Sequence, residues 1–247
     1  MINFEIISIF PKIFDSYFNT SIINRAQKKK LIKIKIHDLR KWTEDKHKTV
    51  DDRPYGGGPG MLLKPLPIYK AIRCLSKCKN QKSKCKIKEK IILLTPDGKQ
   101  FNQKMAHQYA KLDHIIFVCG HYEGFDARIE KFVDEKISTG PYILTGGEIP
   151  AMAIVDAVTR LIPGVIKSES LQEETFSFRD VKNIQNSSEL VIHRETGKVL
   201  GEYPQYTRPE VLIIKNKKGT NKKLNVPKIL LTGNHKKIEE WKLSHLK

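Results

Sequence analysis

Apolar residues along this chain fall in short runs separated by polar, glycine-rich or charged stretches. Residues 3–10, "NFEIISIF", form a β-rich run, and residues 11–30 carry apolar positions at helical spacing with proline at the start and lysines at the end. The pattern predicts a strand followed by a helix. "LIKIKIHDL" alternates, Ile32, Ile34 and Ile36 on one side and Lys33 and Lys35 on the other, as a half-exposed strand does. "KIILLTP" (90–96) and "HIIFVCG" (114–120) are continuous apolar runs, the pattern of strands covered on both faces. Between them, "QFNQKMAHQYAKL" reads as a helix, and "EIPAMAIVDAVTRLIPG" (148–164) as a strongly apolar one, packed in the core or at a subunit interface. Alternating strands and helices imply an α/β fold with a mainly parallel sheet.

Each apolar strand runs into a loop rich in glycine or charge: "TPDGK" (95–99), "CGHYEGFD" (119–126) and "STGPYILTGGE" (138–148). Ligands of open α/β sheets sit at the carboxyl ends of the strands, so these three loops are expected to share one pocket. After Gly164 the periodicity fades into a long polar stretch, read as a linker, before "YTRPEVL" opens a last segment. In that segment Thr232 or Asn234 is placed to cap a helix that turns Trp241 inward.

Composition narrows the function. With 247 residues the chain can bury a proper core, and its 45 Lys and Arg against 27 Asp and Glu leave a net charge of +18, which favours polyanionic partners such as nucleic acid. Cys74, Cys78, Cys85 and Cys119 lack paired zinc-ligand spacing and are expected to be reduced thiols. The start has no basic leader and no apolar run reaches bilayer length, so a cytoplasmic protein without membrane association is expected. No GxxxxGK[ST], no GxGxxG after a strand, no GxSxG and no HExxH occurs, which argues against nucleoside-triphosphatase, dinucleotide and common hydrolase chemistry.

One stretch stands apart. "DDRPYGGGPGM" (51–61) spends four of the chain's 15 glycines within five residues, which suits either an awkward turn or a close approach of backbone to a ligand. The loops at the strand ends, with Tyr122 and Tyr142 beside them, offer backbone groups and aromatic walls suited to a heterocycle such as adenine.

The segments "DDRPYGGGPGM", "CGHYEGFD", "TGPYILTGGEIPAM", "RLIPGV", "YTRPEV" and "LTGNHKKIEEW" occur in the order and rough spacing of bacterial tRNA (guanine-N1)-methyltransferases of the TrmD type, which the chain resembles over nearly its whole length. The resemblance implies a SPOUT fold, a parallel sheet tied in a deep trefoil knot, with a small helical C-terminal domain. It implies residues 1–166 as the catalytic domain, 167–206 as a linker carrying the base, and 207–247 as a shortened tRNA-binding domain. It further implies S-adenosyl-L-methionine bound by Thr95, Pro96, Gly120, Tyr122, Gly124, Ile143, Leu144, Gly146 and Gly147. Candidate tRNA contacts are His47, Asp51, Arg53, Tyr55, Gly56, Gly57 and Gly58.

Guanine N1 bears a proton, so methylation there needs a general base and a donor for negative charge building on O6. By resemblance the base falls on Glu174, with Glu173 its competitor, and the O6 partner on Arg160; Glu123 stands near the reacting groups and is expected to help a magnesium ion that supports the reaction. Three positions depart from the family pattern: His121 for arginine, Pro141 for aspartate and Glu174 for aspartate. The family also implies a homodimer whose active sites are shared between chains. The alternatives are a knotted RNA-binding protein without catalysis and a related methyltransferase acting on ribose or another base.

Overall fold

The computed structural model describes residues 1–77, 87–172, 174, 191–192, 199–200, 203–215 and 221–245. Cys78, Cys85 and Glu173 lie outside them. Five strands, β1 (Ile2–Ser8), β2 (Ile32–Asp38), β3 (Glu89–Gln100), β4 (His114–Cys119) and β5 (Glu135–Ser138), make one sheet in the order β2-β1-β4-β3-β5. Every neighbouring pair is parallel, with Ile6 opposite Phe117 and Ile91 opposite Ile116.

The period of two sorts each apolar run onto two faces. Phe4, Ile6, Ile92, Leu94, Ile115 and Phe117 pack on one side against α1 (Ser21–Lys28), α3 (Gln103–Tyr109) and α4 (Glu148–Thr159); Ile7, Ile91, Leu93, Ile116 and Val118 pack on the other against α2 (Pro65–Leu75). Each fully buried Ile or Phe contributes about 1.5–3 kcal/mol, so the two cores account for the continuous apolar character of β3 and β4. The edge strand β2 alternates, as its sequence predicts.

Several local features differ from the pattern reading. Residues 11–30 are not one helix: a 3-10 turn (Pro11–Phe14) and a short helix (Asp15–Phe18) precede α1, and Ser21 at φ +48° marks the break. Helix α2 was hidden by Pro65 and Pro67, although proline fits a first helical turn and Ile68, Ala71 and Ile72 keep helical spacing. Strand β3 continues through the expected 95–99 loop, but its register on β5 jumps between Leu94 and Lys99, so Thr95–Gly98 arches out of the sheet. Gly98 lies so close to the β5 backbone that a Cβ would fall 2.5 Å from the Ile137 nitrogen.

At the amino ends of the strands the partly buried Glu89 carboxylate is hydrogen-bonded. His114 Nδ1 lies 2.7 Å from Glu89 Oε2, the Ser76 hydroxyl donates to Glu89 Oε1 at 2.5 Å, and the Lys77 amide donates at 2.8 Å. Burial would push the Glu89 carboxyl up, but these hydrogen bonds outweigh it and hold it down to about 2.

The chain divides into two compact units, Met1–Ile166 and Lys167–Lys247. The second contains an antiparallel hairpin of β6 (Val211–Lys215) and β7 (Asn221–Asn225) and the helix α5 (His235–Ser244). The hairpin adds strand to the expected helix; the Asn and Lys content of β7 masks it in the sequence. Asn234 caps α5, accepting from the Lys237 amide at 3.2 Å, and Trp241 stacks on His245 at 4.3 Å. Among the described residues no helix is long and apolar enough to cross a membrane.

Candidate functional site: a cleft at the carboxyl edge of the sheet

Leu94–Pro96 of β3, the carboxyl ends of β4 and β5 and the loops that follow these two enclose a cleft of about 240 Å³. All nine residues expected to hold the methyl donor line it: Thr95 and Pro96 from the arch in β3, Gly120, Tyr122 and Gly124 after β4, and Ile143, Leu144, Gly146 and Gly147 after β5. The outward arch explains how one strand can both continue the sheet and present Thr95 to the cleft. Glu123 also lines it and, among the described residues, is the lining's sole carboxylate, without a lysine or arginine beside it in the wall.

Backbone bonds tie the loops together. The Gly147 amide donates to the Gly120 carbonyl at 2.8 Å, and His121 bridges to Gly146. These contacts demand glycine: a Cβ on Gly147 would sit 2.8 Å from Cys119 Cα, and one on Gly120 would sit 2.8 Å from the Phe125 ring. Behind the Gly146–Gly147 lip, Glu148 opens α4 fully buried and accepts a 2.7 Å hydrogen bond from Ser8 at the end of β1. Ser8 Oγ in turn accepts from the Phe10 amide at 2.8 Å. His121 Nδ1 lies 3.9 Å from Glu148 Oε2. Burial, and then the Glu148 charge, pushes the Cys119 thiol up, leaving it a packing residue.

The sequence reading named neither Ser138, which lines the cleft, nor the buried Ser8–Glu148 pair behind its lip. Ser138 Oγ donates to the Gly140 carbonyl at 2.9 Å and accepts from its amide at 3.2 Å, which shapes the turn beneath Tyr142. A serine ending a strand was the available signal in both cases. Tyr122 is half-exposed and held at φ +58°, a conformation that strains a non-glycine residue.

The glycine loop is a separate arm anchored beside the cleft. Asp51 and Asp52 pair antiparallel with Leu63 and Leu62. The far end of the loop is laced to the cleft loop: Glu123 N–H donates to the Met61 carbonyl at 3.1 Å, Leu63 N–H to Gly124 at 2.9 Å and Asp126 N–H to Leu63 at 3.2 Å. His47, Arg53, Tyr55, Gly56, Gly57 and Gly58 are exposed, Asp51 is half-buried, and none of the seven lines the cleft. Arg160 follows the last turn of α4, half-buried, its amide donating to the Asp156 carbonyl at 3.1 Å. Nearby, Tyr17 donates to Asp156 at 2.7 Å, and that bond, with burial, pushes the Tyr17 hydroxyl up to about 12. Glu174 belongs to the second unit. Among the described residues no three His, Cys, Asp or Glu side chains converge on a metal-sized site.

A glycine-rich cleft at the carboxyl edge of a parallel sheet lies where open α/β folds hold their ligands. Comparison with known proteins sharpens this. The family model for tRNA (Guanine-1)-methyltransferase TrmD matches residues 2–247. A tRNA (guanine-N(1)-)-methyltransferase of Dictyoglomus turgidum is 44% identical over 98% of this chain and 84% of that protein. The proteins of the same name from Bacillus subtilis and Mycoplasmopsis synoviae are 42% and 43% identical, over 96% and 98% of this chain and 84% and 89% of theirs. The chain belongs to the TrmD family of tRNA (guanine-N1)-methyltransferases.

Proposed function

We propose that the chain moves a methyl group from S-adenosyl-L-methionine to N1 of the guanosine at position 37 of tRNA. The observation that carries the reading is the cleft: all nine residues expected for the donor line one cavity, and among the described residues its wall holds a single carboxylate, Glu123, in a protein of net charge +18. S-adenosyl-L-methionine is a sulfonium cation with a heterocycle at one end. A wall of glycine backbone, tyrosine and one carboxylate complements both ends, whereas a phosphate-bearing ligand would call for cations there.

The donor arrives activated and supplies the methyl: its C–S bond breaks as the N1–C bond forms. What remains for the protein is to position the base and manage a proton. Glu174 takes the N1 proton onto its carboxylate, and the Arg160 guanidinium donates to O6 as negative charge builds there. The exposed glycine arm, with His47, Asp51, Arg53 and Tyr55, meets the RNA around a guanine drawn out of its stack. Glu174 acts from the segment 167–206, residues 207–247 add RNA contacts, and two chains pair so that each completes the other's site. The protein works in the cytoplasm.

A mass-mapped methylation assay tests this, using purified protein, S-adenosyl-L-methionine, magnesium and unmodified tRNA carrying guanosine or adenosine at position 37. The expected result is 1-methylguanosine on the guanosine transcript alone. Binding of tRNA without methyl transfer would instead favour an RNA-binding protein without catalysis, with His121, Pro141 and Glu174 as the departures to revert. Methyl on ribose or on another base would favour the related-enzyme reading.

A further inference from the structure

Four glycines of the 51–61 arm have positive φ, but their surroundings differ. Around Gly56 and Gly57 nothing lies within 4 Å of where a Cβ would be, and at Gly58 the nearest atom is a Pro54 carbon at 3.8 Å. Gly60, at φ +78°, is packed against Glu123: a Cβ there would fall 2.6 Å from Oε1 and 2.9 Å from Cδ, with Cγ nearer still. The neighbouring Met61 carbonyl accepts from the Glu123 amide at 3.1 Å. Glu123 is therefore held at two points by the arm, at its backbone by Met61 and along its side chain by the bare Cα of Gly60.

From this contact we infer that Gly60 is a positioning residue for Glu123. Its missing side chain lets the arm close over the glutamate stem and set where the cleft's one carboxylate sits. The arm thus has two uses for glycine: at 56–58 the backbone turns in open space, and at 60 it leaves room for a particular neighbour. A Cβ at position 60 would meet the movable part of a side chain rather than backbone, so it displaces the carboxylate more readily than it unfolds the loop. The functional consequence rests on the reading of the cleft as the methyl-donor site.

The test is a double-mutant cycle of Gly60→Ala and Glu123→Ala, with Tm and calorimetric Kd for S-adenosyl-L-methionine measured on all four proteins. Backbone strain from alanine at φ +78° is present in both backgrounds and cancels in the cycle. Gly60→Ala is expected to weaken donor binding about five- to tenfold when Glu123 is present and less than about twofold when it is absent. Equal losses in the two backgrounds would overturn the inference. If Gly60→Ala fails to fold, restoration of folding by Glu123→Ala supports the side-chain collision, and failure to restore it refutes it. Should the wild-type protein bind no donor, the functional reading fails, while the Tm cycle still reports whether residues 60 and 123 are coupled.

Discussion

The tip of the glycine arm, Gly56–Gly58, and the cleft glycines Gly120, Gly146 and Gly147 use the same residue for opposite reasons. Gly56, Gly57 and Gly58 sit at φ +83°, +82° and +121° in open space, whereas Gly120, Gly146 and Gly147 lie outside the left-handed region and have no room for a Cβ. At Gly56–Gly58 glycine supplies a backbone angle, as it does in the cleft at Gly124 (φ +112°, nothing within 4 Å); at Gly120, Gly146 and Gly147 it supplies a volume, as it does in the arm at Gly60. Tyr122 reverses the arm's rule, since at φ +58° the cleft keeps a large side chain where the backbone would prefer none. Strain tolerated at a cleft wall points to a side chain used there.

The largest effect should come from the packed glycines. Gly147→Ala drives a Cβ against Cys119 Cα and Gly120 N, backbone atoms that cannot swing aside. A loss of about 2–3 kcal/mol is expected, read as a Tm about 4–12 °C lower. An unchanged Tm would break the distinction between the two sets of glycines.

A reference independent of either loop lies at the opposite, amino edge of the sheet. Glu89 has its carboxyl depressed from 4.5 to about 2, so its stabilising contribution is complete above about pH 4.5 and is lost as pH falls toward 2. Because the group is only partly buried, the contribution is discounted for screening to about 1–2 kcal/mol. Denaturant midpoints compared at pH 6 and pH 3 should converge for wild type and Glu89→Gln as the acid removes what the substitution has already removed.

Tyr122→Gly separates binding from stability. Relief of about 1 kcal/mol of left-handed strain is offset by glycine's extra chain entropy of about 0.5–1 kcal/mol. Tm should therefore stay within about 2 °C, while calorimetric Kd for S-adenosyl-L-methionine rises about tenfold, since an aromatic wall is lost. A large drop in Tm with unchanged affinity would make Tyr122 a structural residue. The smallest effect belongs to Gly57→Ala, which meets no atom and carries only strain of about 1 kcal/mol. A Tm about 2–4 °C lower checks it.

Much of the sheet was legible in the sequence because β1, β3 and β4 are covered on both faces, and two-sided burial leaves continuous apolar runs that little else explains. Two of the three cleft loops were legible for a related reason: 95–99 directly continues the apolar run of β3 and 119–126 that of β4, and strand carboxyl ends are where parallel sheets hold ligands; the third, 138–148, follows β5 and was legible from its glycines. Helix α2 and strand β5 escaped, the one behind Pro65 and Pro67 and the other in four residues of mixed polarity. The sequence by itself determined which residue types gather at the cleft and that the chain would carry a large positive charge. Only the tertiary structure decided that β3 arches at Thr95–Gly98, that Ser8 reaches Glu148 across 140 positions of chain, and that Gly60 rests on Glu123. Those are contacts between residues far apart in the chain, set by register and packing, and no local periodicity encodes a distance through space.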